Sequence, residues 1–265
     1  MKQRILTAIV LFAVVMGVLF FDPSGVGAPL LARLSLGAVA WELASLIGGS
    51  RWLLVALSQV CLIPFERVDH PIYLVVFTAI GVLGLRDLAK SSASEAGQKS
   101  GFENPNLWRN VLVIPFLKGS GSALILLTTH GGNPFPLILT AAIPIWAGDT
   151  AAIFAGKAFG KHKLAPAISP NKTWEGSIAN FLAAVGAAAA LGYFLKYPMD
   201  KMLLLGVSCG VIGQFGDLFE SYLKRQAGVK DSGNLLPGHG GVFDRLDSLL
   251  MTAPFSYWIL SSFLK

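Results

Sequence analysis

Long apolar runs alternate along the chain with short polar segments. The apolar runs cover 5–21, 28–49, 52–65, 71–85, 111–129, 134–148, 177–195, 202–219 and 246–264. A helix needs roughly 20 predominantly apolar residues to cross a bilayer core. The pattern therefore predicts an all-α, polytopic integral membrane protein with about nine transmembrane helices, of which 52–65 and 71–85 are short. Residues Ala151 to Phe159 are expected to add a half-span or a surface helix. Small-residue runs such as Gly186 to Ala190 suit close helix packing, within the chain or between protomers of a homodimer.

Composition supports the same solvent. Of 265 residues, 54% are hydrophobic and 14% charged, against about 25% charged in soluble domains. The mean hydropathy is +0.62. A water-soluble fold lacks the interior to hide that much apolar surface. Cys61 and Cys209 both lie in apolar runs without a CxxC partner, which argues against a disulfide or zinc site. Lys2 and Arg4 before the first run resemble a signal peptide, but further spans follow, so a retained first helix is expected.

Charge orients the chain. With the N-terminus in the cytoplasm and nine crossings, fifteen Lys and Arg fall inside and five outside, with Lys118 within a span. This is the asymmetry of a positive-inside topology in the cytoplasmic membrane. The net charge of +6 comes without a dense basic run, which argues against nucleic acid as a partner. Three cytoplasmic loops result: 86–110, 149–176 and 220–245. The first is polar and turn-rich, and reads as a connector between N-terminal helices (1–85) and a C-terminal catalytic region (111–265).

The other two loops hold most of the reactive side chains. Asp217 is expected near the cytoplasmic end of the eighth span, sharing a helix face with Ser221 and Lys224. Asp244 and Asp247, three apart, open the last span. A carboxylate at membrane depth costs about 2.5–3.5 kcal/mol on insertion scales and normally has a partner or a function. Three such groups on two helices beside one loop can converge on a divalent cation, and magnesium suits a few carboxylates plus phosphate oxygens. Lys224, Arg225 and Lys230 suit phosphate groups. The Pro237-Gly238-His239-Gly240-Gly241 turn lets backbone N–H groups approach an anion. Together these describe phosphoryl or nucleotidyl transfer. The plainer alternatives are that Arg245 pairs structurally with an aspartate and that Asp231 caps a turn or pairs with Lys230. Asp149 reads as a ligand, a ribose or base contact, or a helix cap.

This segment resembles the signature of phosphatidate cytidylyltransferases, also called CDP-diacylglycerol synthases. Ser221, Lys224, Arg225, Lys230, Asp231, Pro237, His239, Gly240, Gly241, Asp244, Arg245 and Asp247 occupy its places. Ser169-Pro170-Asn171-Lys172-Thr173-Trp174-Glu175-Gly176 is similar to the family's SPxKTxEG element, although Asn171 stands where a basic residue is common. The resemblance implies transfer of CMP from CTP to phosphatidic acid at the cytoplasmic face. Asp217, Asp244 and Asp247 would then hold one or two magnesium ions, with Lys172, Ser221, Lys224, Arg225, Lys230, His239, Gly240, Gly241 and Arg245 around the substrates. Lys224, His239 and Asp244 are the expected catalytic groups. The rival readings are a cytidylyltransferase for another lipid phosphate and an ion-coupled transporter. Ser169 or Thr173 is expected to cap the following helix, and Glu175 to be a capping-box acid.

Overall fold

A computed structural model describes residues 2–21, 25–48, 51–60, 105–129 and 134–263. Helices α1 (Lys2–Phe21), α2 (Gly27–Ile47), α3 (Arg51–Val60), α4 (Pro105–Thr129) and α5 (Pro134–Phe159) come first. A two-stranded antiparallel hairpin follows, β1 (Lys163–Ala165) with β2 (Ser169–Thr173). Helices α6 (Trp174–Leu195), α7 (Met199–Gln226) and α8 (Phe243–Ser261) complete the order. Among the described residues, four helical stretches are long and apolar enough to cross a membrane: Gly27–Ile47, Leu137–Phe159, Trp174–Leu195 and Met199–Gln226. Ile9–Phe21 and Phe116–Thr128 are shorter apolar stretches.

Within the described residues, the apolar runs at 5–21, 28–49, 111–129, 134–148, 177–195, 202–219 and 246–264 fall on helices, apart from the last one or two residues of the second and last runs. The run at 52–65 begins on α3, while its remainder, the run at 71–85 and most of the 86–110 connector lie outside the described residues. Two expected loops are corrected. The 149–176 loop is not a loop at its start, because α5 continues through Asp149 to Phe159 as one helix rather than adding a separate half-span. The 220–245 loop likewise begins only after Gln226. In both places hydropathy falls where charged residues begin, but no proline or glycine pair interrupts the backbone ladder, so the helix outlasts the apolar run.

Helix α6 packs between α5 and α7, and α7 packs on α8. Helix α2 lies against α3 and α4 and also reaches α7 and α8, while α4 contacts α8. The α6–α7 seam depends on small residues. A Cβ on Gly206 would lie 2.7 Å from Val185 Cα, and one on Gly210 would lie 2.9 Å from Phe181 Cα. These glycines, four apart, bring the backbones into contact. Large apolar side chains such as Ile178, Leu182 and Phe194 on α6 and Leu203, Val207 and Val211 on α7 point outward. An apolar exterior around a packed interior is what lipid as solvent requires.

Candidate active site

The hairpin and both polar junctions meet at one end of the bundle. Thr173 caps α6, its Oγ1 accepting from the Gly176 N–H at 3.2 Å. Glu175 does not close a capping box. Its carboxyl accepts from the His162 backbone N–H at 3.3 Å and lies 2.7 Å from His162 Nδ1, tying the start of the hairpin to α6. The hairpin thereby holds Lys172 over α7, where its Nζ lies 2.5 Å from Asp217 Oδ2.

The last turns of α7 and the first of α8 enclose a cavity of about 260 Å³. Asp217, Glu220 and Lys224 line it from α7, Asp244, Arg245, Asp247 and Ser248 from α8, Asp149 from α5 and Asp231 from the loop between. Six carboxyl groups thus face two basic side chains at the wall. One carboxyl oxygen each from Asp217, Glu220 and Asp247 lies within 4.8 Å of the others. The Glu220 side chain is only 3% exposed. One of its oxygens takes Lys224 Nζ at 2.8 Å, while Oε1 is buried without a hydrogen bond. A buried acid oxygen left without a donor, beside two further carboxyl groups, fits a divalent cation.

Asp244 is differently placed. Its Oδ1 takes Lys224 Nζ at 2.6 Å, and its Oδ2 accepts from Gly241 N at 2.8 Å, Ser232 N at 3.0 Å and Ser232 Oγ at 3.1 Å. Lys224 therefore sits between Glu220 and Asp244, and Asp244 organises the loop around it. Gly240 adopts a φ of +83°, and a Cβ there would lie 2.7 Å from Asp244 Oδ2. Only glycine lets the turn close over that carboxyl group.

The remaining expected site residues spread around this centre. Ser221 is buried on α7. Arg225 is turned to backbone, donating to Ile168 O at 3.2 Å and Val229 O at 3.1 Å, where it braces the hairpin turn against the loop. Lys230 is exposed. His239 does not line the cavity: its backbone N–H donates to Leu236 O at 2.9 Å and its carbonyl accepts from Arg245 at 2.7 Å. Its Nδ1 is buried without a hydrogen bond. Asp149 accepts from Asn180 Nδ2 at 3.2 Å. Beside them, Ser177 donates to Gln214 Oε1 at 2.5 Å, and Gln214 returns a bond to Ser177 O at 3.2 Å.

Two carboxyl groups at this end escaped the sequence reading. Glu220 lies three residues from Asp217 and four from Lys224, so the same helical spacing that drew attention to those two also marks it. Glu42 lies on α2 and is 1% exposed. Its signal was an isolated acid in an otherwise apolar run.

A helical, apolar-surfaced bundle with an acidic, lysine-braced cavity at one end defines a membrane protein built to hold charged ligands beside lipid. The family model described as the cytidylyltransferase family matches residues 2–263, and the chain belongs to that family. It is 35% identical over 291 residues to a protein of Haemophilus influenzae named phosphatidate cytidylyltransferase, covering 96% of each chain. A Bacillus subtilis protein of the same name is 47% identical over 128 residues, 48% of each chain. One from Rickettsia felis is 41% identical over 164 residues, 58% of this chain and 70% of that protein.

Proposed function

We propose that this protein transfers the cytidylyl group of CTP to phosphatidic acid, forming CDP-diacylglycerol and diphosphate for phospholipid synthesis. The observation that carries the reading is the cavity itself. Asp217, Glu220 and Asp247 gather there beside Lys172 and Lys224, in a chain matched over nearly its whole length by the family model. In the reaction a phosphate oxygen of phosphatidic acid forms a bond to the α-phosphorus of CTP. The bond between α-phosphorus and the bridging oxygen breaks, and diphosphate leaves with the electron pair. The attacking phosphate is already anionic near neutral pH, so no general base is needed.

Asp217, Glu220 and Asp247 are the residues that would hold magnesium, which when bound neutralises phosphate charge and stabilises a leaving diphosphate. Asp244, expected from sequence as a further ligand, has its oxygens filled by Lys224, Ser232 and Gly241. Its geometry favours holding Lys224 and the loop in place. Lys172 pairs with Asp217 and Lys224 with Glu220, and both supply charge for phosphate oxygens. Arg245 lines the same wall. A transporter reading is disfavoured because the charged groups gather at one end of the helices rather than midway along them. The nine-span topology, a cytoplasmic N-terminus and a catalytic region within 111–265 remain part of this proposal, supported by the charge asymmetry of the sequence.

The test is direct. Purified protein with phosphatidic acid, radiolabelled CTP and magnesium should move label into the organic phase, and a chelator should stop it until magnesium is restored. Asp217→Asn, Glu220→Gln and Asp247→Asn should each lower turnover on the order of 10²-fold or more while eluting from a sizing column as the parent does. Near-normal turnover in all three would remove the cation site from these residues. Absence of labelled lipid with the parent protein would remove the reaction.

A further inference from the structure

Glu42 is a carboxyl group from the N-terminal part of the chain whose three hydrogen-bond donors lie at the start of α8 and in the loop before it. Its Oε1 accepts from Val242 N at 2.9 Å, and its Oε2 accepts from Phe243 N at 2.8 Å and from Ser232 Oγ at 2.9 Å. Val242 and Phe243 open α8, and no side chain of that segment caps the helix. The first N–H groups of a helix lack partners within it, and here α2 supplies the acceptor. Space around the carboxyl group is kept for it: a Cβ on Gly233 would lie 2.6 Å from Glu42 Oε1, and one on Gly241 would run into Oε2.

The contact continues inward. Ser232 Oγ stands between Glu42 Oε2 and Asp244 Oδ2, with one proton for two carboxyl groups, and Ser232 N donates to Asp244 as well. Asp244 in turn holds Lys224. Glu42 is not part of the cavity wall, so it does not meet substrate there. We propose that Glu42 is a positioning residue for the transfer reaction. By capping α8 and anchoring Ser232 from another helix, it fixes Asp244 and, through it, Lys224. The inference rests on the function proposed above. It also makes α2 part of the catalytic unit rather than a membrane anchor beside it.

The experiment uses full-length protein in detergent with phosphatidic acid, CTP and magnesium, and compares Glu42→Gln, Ser232→Ala and the double variant. Glutamine keeps the length of the side chain but offers one oxygen and an amide NH2 to three donors. With Asp217, Glu220 and Asp247 retained, KM for CTP should stay within about twofold while kcat falls at least about tenfold, the kind of loss small misplacements produce. Ser232→Ala should lower kcat too, and the double variant should be no worse than the weaker single, because both act through Asp244. Unchanged kcat per folded molecule in Glu42→Gln, or losses that multiply in the double, overturns the inference. Should Glu42→Gln not fold, Ser232→Ala decides by the same kcat criterion. A parent protein that makes no CDP-lipid sinks the proposed function and this role with it, whereas an active parent with a fully active Glu42→Gln sinks this role alone.

Discussion

Lys224 has 12% of its side chain exposed and bridges Glu220 and Asp244, which are 3% and 8% exposed. Removing the ammonium would leave two buried carboxyl groups facing each other, and breaking a buried pair from one side typically costs about 3–5 kcal/mol. Lys224→Met should therefore lower thermal stability in detergent as well as abolish turnover, read by circular dichroism against the parent. Unchanged melting with lost activity would mean the lysine serves substrate alone. Charged residues were legible in the sequence because an apolar background makes each one conspicuous. Their pairing was not. Lys224 and Asp244 are 20 residues apart, Glu42 is 190 residues from Ser232, and spacing along one helix says nothing about either contact. Glu220, three residues from Asp217 and four from Lys224, is marked by the same helical spacing. Arg225 shows the converse: a cation that reads as a phosphate ligand is occupied by two backbone carbonyls.

At the scale of elements, hydropathy located the helices among the described residues and misjudged where two of them stop. Charged side chains at a water interface end an apolar run without ending the backbone hydrogen bonding, so α5 and α7 extend through residues that read as loops. The hairpin was invisible because Lys163–Ala165 and Ser169–Thr173 carry no period-two apolar pattern, and their pairing is secured by Arg225 and the His162–Glu175 contact. Contacts between helices lend themselves to a sharper expectation. Gly210 touches the Phe181 backbone, whereas a Cβ on Gly186 meets nothing within 4 Å. Gly210→Leu should cost about 1–3 kcal/mol by overpacking the α6–α7 seam, and Gly186→Leu should leave the folded chain's stability unchanged. Thermal unfolding of the two side by side checks this, and equal losses would show that the seam is not where the glycine matters.

The whole molecule places its charged end on one side of a membrane, and the proposed side is the cytoplasm. A cysteine at Lys161, an exposed position ahead of the hairpin, should react with an impermeant maleimide in inside-out vesicles and be shielded in right-side-out ones. The opposite pattern would invert the topology drawn from the lysine and arginine distribution. The length of α7 carries a consequence of its own. Its 28 residues span about 42 Å at 1.5 Å per residue, against a hydrocarbon thickness of about 30 Å. Counted from Met199, the surplus of about 12 Å is the stretch that bears Glu220 and Lys224. On the proposed topology, that ledge would stand at the depth where lipid head groups ride. A diacylated substrate can thus present its phosphate from the leaflet with both tails still solvated by their neighbours, and only the water-soluble reactant has to travel.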